Sequence, residues 1–195
     1  MDVFDVRNVV KEPDALLAVT ENPRHRAILL NFRRHALLEV TGRWREILHP
    51  DMVVEEPFYR INENGASLHL RGKDEIGRFY SGLTEAGLNV FGPISENIAV
   101  ADWGLAIESY FGNHVPGRVL AEQGEDIDDL DAYYQLTHYM ASFWPYDADV
   151  RLIGEHIYED VASRRIEKMD PADVITPARS RELLTPLLDA QPWAA

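Results

Sequence analysis

The chain contains no cysteine. That absence removes disulfides, a thiolate nucleophile and cysteine-ligated zinc from the chemistry open to it. Long apolar runs are missing too. Stretches such as residues 27–30 fall far short of the roughly 20 apolar residues that a spanning helix needs. The opening MDVFDVRNVVKEPD lacks the basic-then-apolar layout of a secretion signal, so the expectation is a soluble, cytoplasmic protein with no membrane partner. Positive charge is scarce as well. With 19 Lys and Arg against 33 Asp and Glu, the formal net charge is −14, and such a surface repels phosphate backbones, which argues against nucleic acid as a partner. Several local signatures are also absent. No GxSxG nucleophile elbow occurs, and Gly72-Lys73 is followed by Asp74, with Ser67 where a phosphate loop needs glycine. The acidic segment 122–131 lacks the ligand spacing and central glycine of a calcium loop.

What is present points to one α+β domain, since 195 residues suffice for a single core. Residues 1–22 read as an N-terminal arm, 23–165 as the domain, and 166–195 as a proline-rich tail with a short helix. Pro23 opens a helical pattern with Ile28, Phe32, Ala36 and Val40 facing inward, and residues 43–48 make a short second helix that Pro50 stops. MVVEEPFYRI is a strand candidate interrupted by Pro57, and GKDEIGRFYSGL carries Ile76, Phe79, Tyr80 and Leu83 at helical spacing. From Leu88 the period becomes strand-like, including GRVLAEQ, and ends in a hairpin of residues 133–144 and 151–160 around 145–150. Helices followed by strands predict an antiparallel sheet bent around helices, with a pocket between the layers. In the tail, Leu183, Leu184, Leu187 and Leu188 form a stripe that must dock on the domain or on a second copy.

Side chains alternate along a strand, so residues 133–144 carry Tyr134, Leu136, His138, Met140, Ser142 and Trp144 on one face. The opposite face carries Tyr133, Gln135, Thr137, Tyr139, Ala141 and Phe143. Neither face is polar throughout. One should line core and pocket while the other meets a partner subunit or the terminal arms. His138, embedded in apolar strand, is a candidate acid/base group. Glu108 and Tyr110, alternate residues of one strand, offer a second acid and a phenolic donor. His156, Tyr158 and Asp160 share a face and read as a structural cluster. His138 and His156 without an obvious third ligand make no metal site, and none is expected. Phe32, Trp44, Tyr59 and Phe79, with Trp103 and Trp144, come from elements that the fold would converge on one cavity, which suits an apolar cyclic ligand.

The acid before proline (Glu56-Pro57), the GxxxIxxFY helix (Gly72 to Tyr80) and the close from Asp149 to Asp160 together resemble the SnoaL-like branch of the nuclear transport factor 2-like superfamily. The resemblance covers about residues 24–160. It implies a conical α+β barrel with one buried pocket, a homodimer built across the sheet, no cofactor, and cofactor-free acid/base chemistry of cyclase, isomerase or dehydratase type on a hydrophobic cyclic or polyketide-like substrate. It implies Glu56 as general base. The positions that hold oxyanion donors in steroid isomerases fall on Phe32 and Ser142, and the acid of the cyclase branch falls on Ile157, flanked at equal parity by Glu155 and Glu159. Because Phe32 and Ile157 cannot do that chemistry, a non-catalytic ligand-binding or assembly module of the same fold stands as the alternative.

Overall fold

Asn22 and Pro23 start the longest helix for separate reasons. The Asn22 side chain accepts hydrogen bonds from the Arg24 and His25 amides, and proline at the first helical position needs no amide partner. The computed structural model describes residues 4–63 and 65–190. Its helices are α1 (Lys11–Val19), α2 (Pro23–Val40), α3 (Gly72–Glu85), α4 (Gly117–Glu122) and α5 (Pro177–Asp189). The strands are β1 (Phe58–Glu63), β2 (Ala66–Arg71), β3 (Phe91–Ala101), β4 (Gly104–Pro116), β5 (Tyr133–Pro145) and β6 (His156–Lys168). They form one sheet in the order β2-β1-β6-β5-β4-β3, antiparallel except where β1 runs parallel to β6. The sheet curls without closing, and α2 lies in its concavity. Ile28, Phe32 and Val40 of α2 pack there with Ile61, Ile107 and Trp144. Among the described residues no helix is long and apolar enough to cross a membrane.

Four sequence expectations need correction. Residues 117–122 are helix α4 rather than strand, because Pro116 ends the β4 ladder and Arg, Leu, Ala and Glu are good helix formers. The N-terminal arm is built into the core: Val6, Val9 and Val10, in a 3₁₀ turn ahead of α1, are all buried. β1 begins only at Phe58, after Pro57, and a sixth strand, β2, follows the turn at Gly65. The final strand begins at His156, since residues 146–155 form a connection that turns at residues 148–150 and whose Leu152 bridges Val53 and Tyr146.

The tail's leucine stripe docks on its own domain. Leu184 and Leu188 of α5 are buried in the main core. Ser180 Oγ donates to the Val40 carbonyl and Arg181 Nε to the Thr41 carbonyl, satisfying acceptors that α2 leaves open at its C-terminus. Pro192 lies outside the described residues.

Candidate functional site

Helix α2 presents Phe32, His35, Ala36, Glu39 and Val40 on one side, at the spacing of a single helical face. This stripe faces a cavity of about 280 Å³ between the helices and the concave side of the sheet, partly open to solvent, with Phe32, Ala36, Glu39 and Val40 in its wall. The opposite wall includes Ser142 and Trp144 of β5, Ile107 and Ser109 of β4, and Ile157 of β6. Trp144 stands edge-on to both Phe32 and His35, with ring centroids 5.0 and 4.9 Å away. Its Nε1 donates to Ser142 Oγ at 3.0 Å, leaving the serine hydroxyl hydrogen free to point elsewhere.

Glu155 reaches the same wall from the connection preceding β6. It is placed by pairing with β1: the Phe58 amide donates to Ile153 O at 2.9 Å and the Arg60 amide to Glu155 O at 2.7 Å. Gly154 sits between these bonds, and a Cβ there would lie 1.9 Å from Phe58 O. Only glycine permits this approach. The Glu155 carboxylate Oε1 is 3.0 Å from His35 Nε2 and accepts from Tyr80 Oη at 2.8 Å. Tyr80 Oη in turn lies 3.0 Å from His35 Nε2 and 3.2 Å from Tyr59 Oη. Glu39 Oε2 lies 3.6 Å from the same imidazole nitrogen. Two cavity-wall carboxylates thus share one wholly buried histidine, whose Nδ1 has no hydrogen-bond partner.

The electrostatics follow from burial and these contacts. Burial alone would lower the His35 pKa, but Glu155 and then Glu39 override it and raise it to about 9, so the ring is a cation at neutral pH. Burial raises the Glu39 pKa; His35 opposes that rise and Glu155 adds to it. Burial, then the charge of Glu155, holds Tyr59 and Tyr80 well above the ordinary tyrosine value, so both remain hydrogen-bond donors.

A second polar stretch lies along β5 and β1. His138 is wholly buried, its Nε2 3.6 Å from Glu63 Oε1 and its Nδ1 3.7 Å from Glu159 Oε1. Burial keeps His138 below its ordinary pKa, with Glu159 opposing. Glu63 lines the cavity, and burial, then Glu159 and Glu39, push its pKa up to about 7. Glu96 on β3 also lines it, raised to about 8 by burial and by Glu12, against a hydrogen bond from Ser109.

The residues singled out from the sequence separate into three groups. Phe32, Phe79, Trp144 and Ile157 line the cavity. Tyr59 and His138 are buried beside it, and Trp44 packs on the core with its ring stacked near Tyr80, centroids 6.5 Å apart. Glu56, Glu108, Tyr110 and Trp103 lie outside the cavity wall. Glu56 is exposed ahead of β1. The β4 residues lining the cavity are odd-numbered from Ile107 to Val115, so Glu108 and Tyr110 project from the outer face, where Tyr110 Oη donates to Thr137 Oγ1 at 2.9 Å. Trp103 sits, half exposed, in the β3–β4 turn. Glu56 and His138 therefore share no cavity and cannot act as a pair. Sequence reasoning missed His35, Glu39, Glu63 and Glu96. The signal for the first two was a His-x-x-x-Glu pair on the inward stripe of α2. Among the described residues no group of three or more His, Asp or Glu side chains is arranged to hold a metal ion.

This architecture has known counterparts. An NTF2-like protein from Anabaena variabilis matches with a TM-score of 0.51, at 14% identity over 74% of this chain and 96% of that one. The fold is NTF2-like. Two SnoaL-like proteins with provisional polyketide cyclase assignments share it. The one from Jannaschia sp. CCS1 gives a TM-score of 0.54 at 13% identity, covering 73% of this chain and 92% of that one. The one from Shewanella putrefaciens CN-32 gives 0.57 at 11% identity, covering 78% and 90%. No protein-family model and no curated protein matches the sequence. At these identities the NTF2-like likeness carries the fold, and function has to come from the cavity.

Proposed function

We propose that this NTF2-like protein binds a small hydrophobic molecule in the cavity and moves a proton on it without a cofactor, in a cyclisation, isomerisation or dehydration. The observation that carries this reading is the pair of cavity-wall carboxylates, Glu39 and Glu155, on one buried imidazole. Glu39 is the proton carrier, because burial raises its pKa from the ordinary carboxylate value toward the range where a general acid or base is effective. Glu155 and Tyr80 hold the His35 imidazolium in place, and that charge stabilises an anion developing on the substrate. The Ser142 hydroxyl donates to the substrate oxygen from the facing wall. The SnoaL-like proteins of the same fold, with their provisional cyclase assignments, lend this reading support by analogy alone.

A test that needs no prior substrate is solvent exchange. Cyclic ketones and polyketide-like diketones are incubated with the protein in D₂O, and deuterium uptake at carbon is read by mass spectrometry. Uptake by the wild type, lost about 10²-fold or more in Glu39→Gln, is the expected result. Exchange unchanged in Glu39→Gln would remove Glu39 from the mechanism. A second reading, a non-catalytic binding module, is favoured by the apolar Phe32 and Ile157 at cavity positions where the resembled enzymes use polar groups. Ligand retention with no exchange would select it.

A further inference from the structure

Outside the cavity the sheet carries a concentration of positive charge that the net charge of −14 hides. Side chains alternate along a strand, and Ile61, Leu68 and Ile157 line the cavity, so Arg60 of β1, His69 of β2 and His156 of β6 project from the outer face. The register sets them in one row across three neighbouring strands, with Arg60 opposite His69 on one side and His156 on the other. Phe58, two residues before Arg60, stands opposite Arg71 and gathers the group. The guanidinium carbons of Arg71 and Arg60 lie 4.2 and 5.5 Å from its ring centroid, and the His69 and His156 ring centroids lie 5.8 and 6.4 Å from it. A guanidinium stacked on an aromatic face keeps its edge N–H groups free for an acceptor.

The protein does not neutralise this charge itself. Among the described residues none of the four basic side chains makes an ion pair with a carboxylate, and neither guanidinium donates a hydrogen bond. Arg60 Nε is buried without a partner, and buried polar groups are rarely left so. The carboxylates of the neighbouring segments are turned elsewhere: Glu55 pairs with Lys73 at 2.7 Å, Glu75 accepts from the Arg71 amide at 2.7 Å, and Glu56 Oε2 lies against Gly72. His156 feels the consequence. Burial and then the Arg60 charge hold it below its ordinary pKa, against the pull of Glu155. Like charges directly opposite one another destabilise a sheet, and an anion between them removes that cost.

We propose that the outer face of β2-β1-β6 is a binding site for the phosphate group of a small soluble phosphomonoester, with Arg60 and Arg71 as its charged contacts and His69 and His156 as flanking donors. A carboxylate fills one guanidinium fork, whereas a tetrahedral phosphate near its dianionic form has the charge and the oxygens for two guanidiniums and the imidazoles beside them. The rest of the surface limits the size of the ligand. At contact range the row attracts an anion, but beyond a Debye length of about 8 Å the net charge of −14 repels an extended polyanion. The row opens toward the edge strand β2, where His69 and Arg71 are exposed, so the remainder of a small molecule has room beyond the sheet. None of these residues lines the cavity, so the site stands whether or not the cavity is catalytic.

The test is titration of the full chain with phenyl phosphate, inorganic phosphate and benzoate, followed by calorimetry and by the ring signals of the histidines in NMR spectra. Both phosphates are expected to bind saturably at millimolar concentration and to move the His69 and His156 signals, leaving those of the buried His35 and His138 in place. Benzoate should bind about tenfold or more weakly than phenyl phosphate. The Arg60→Gln/Arg71→Gln variant, checked for a native melt, should bind phenyl phosphate about tenfold or more weakly than wild type, and Arg45→Gln, which removes the guanidinium over Trp44, should bind it unchanged. Benzoate bound as tightly as phenyl phosphate overturns the phosphate assignment, and signal changes confined to His25 or His49 overturn the location. Undiminished binding in a folded double variant overturns the two arginines as contacts. Binding to vesicles of equimolar phosphatidylcholine and phosphatidic acid, without binding of the soluble phosphates, makes the source a lipid headgroup and overturns the small-molecule assignment. Binding of no phosphate in any form overturns the site. The wild-type signals decide the matter even where the variant does not fold.

Discussion

His35 concentrates the electrostatics of this protein, because one ring nitrogen serves two carboxylates and a tyrosine. Glu39 faces it from its own helix, Glu155 from the connection before β6, and Tyr80 from α3, with Trp144 of β5 edge-on. Its folded pKa of about 9 lies above the ordinary 6.5. The fold therefore binds this proton more tightly than the unfolded chain does. The resulting stability is fully present below pH 6.5 and is lost as pH rises through 9. Glu63 and Glu96, raised from 4.5 to about 7 and about 8, have the same sign, since each stays protonated in the fold where the unfolded chain has ionised. His114, lowered to about 4 by burial, acts in the opposite sense only below pH 6.5. Between pH 6.5 and 9 the unfolding free energy should then fall, by up to about 1.4 kcal/mol per pH unit for each group still titrating. Urea unfolding at half-unit pH steps measures the slope, and His35→Gln should flatten its upper part. A stability that rises across this window would be incompatible with His35 as a buried cation.

At the scale of elements, the most constrained junction is residues 153–155 against β1, since it delivers Glu155 to the cavity. Gly154→Ala would place a Cβ 1.9 Å from Phe58 O and 2.9 Å from Phe58 C, both backbone atoms that cannot rotate away. The expected cost is at or above the upper end of overpacking, about 3 kcal/mol, together with loss of proton-transfer activity. Gly82→Ala on α3, where a Cβ meets nothing within 4 Å, is the control and should stabilise by about 0.5–1 kcal/mol. A Gly154→Ala protein that melts and turns over like wild type would show that Glu155 is not held by this approach. The same junction explains what the sequence could tell. Strand parity was readable from alternation: it put Leu136, Met140, Ser142 and Trp144 on one face of β5, and Glu155, Ile157 and Glu159 at one parity. Those are the faces found. The helix stripe was readable only in its apolar members, because His35 and Glu39, next to Arg33 and Arg34, look like solvent-facing polar residues until the curled sheet encloses them. Glu56 drew attention through its proline. Yet the strand starts after that proline, and pairing across residues 153–157 selects Glu155 instead.

For the whole molecule, the curled sheet hides one face and leaves the other bare. On the convex side Tyr139, Phe143 and Tyr158 of β5 and β6 are 53%, 41% and 39% exposed. They adjoin one another: Ala141 pairs with Tyr158 and Tyr139 with Asp160, the Phe143 and Tyr158 rings are 6.3 Å apart, and Tyr110 of β4 continues the patch against Tyr139 at 4.9 Å. The tail's leucines do not cover it, since Leu184 and Leu188 are buried in the main core. A contiguous apolar patch of this kind is expected to be covered by a second copy, using the same patch on both partners. Light scattering should give twice the chain mass, and Tyr139→Glu/Phe143→Glu should give the single mass with the melt of the domain retained. Salt separates this from a charge-paired interface. Two chains of net charge −14 repel, so screening should tighten an apolar dimer, whereas an interface held by ion pairs would loosen. A wild-type monomer at every salt concentration would leave the exposed aromatics of the convex face without this role.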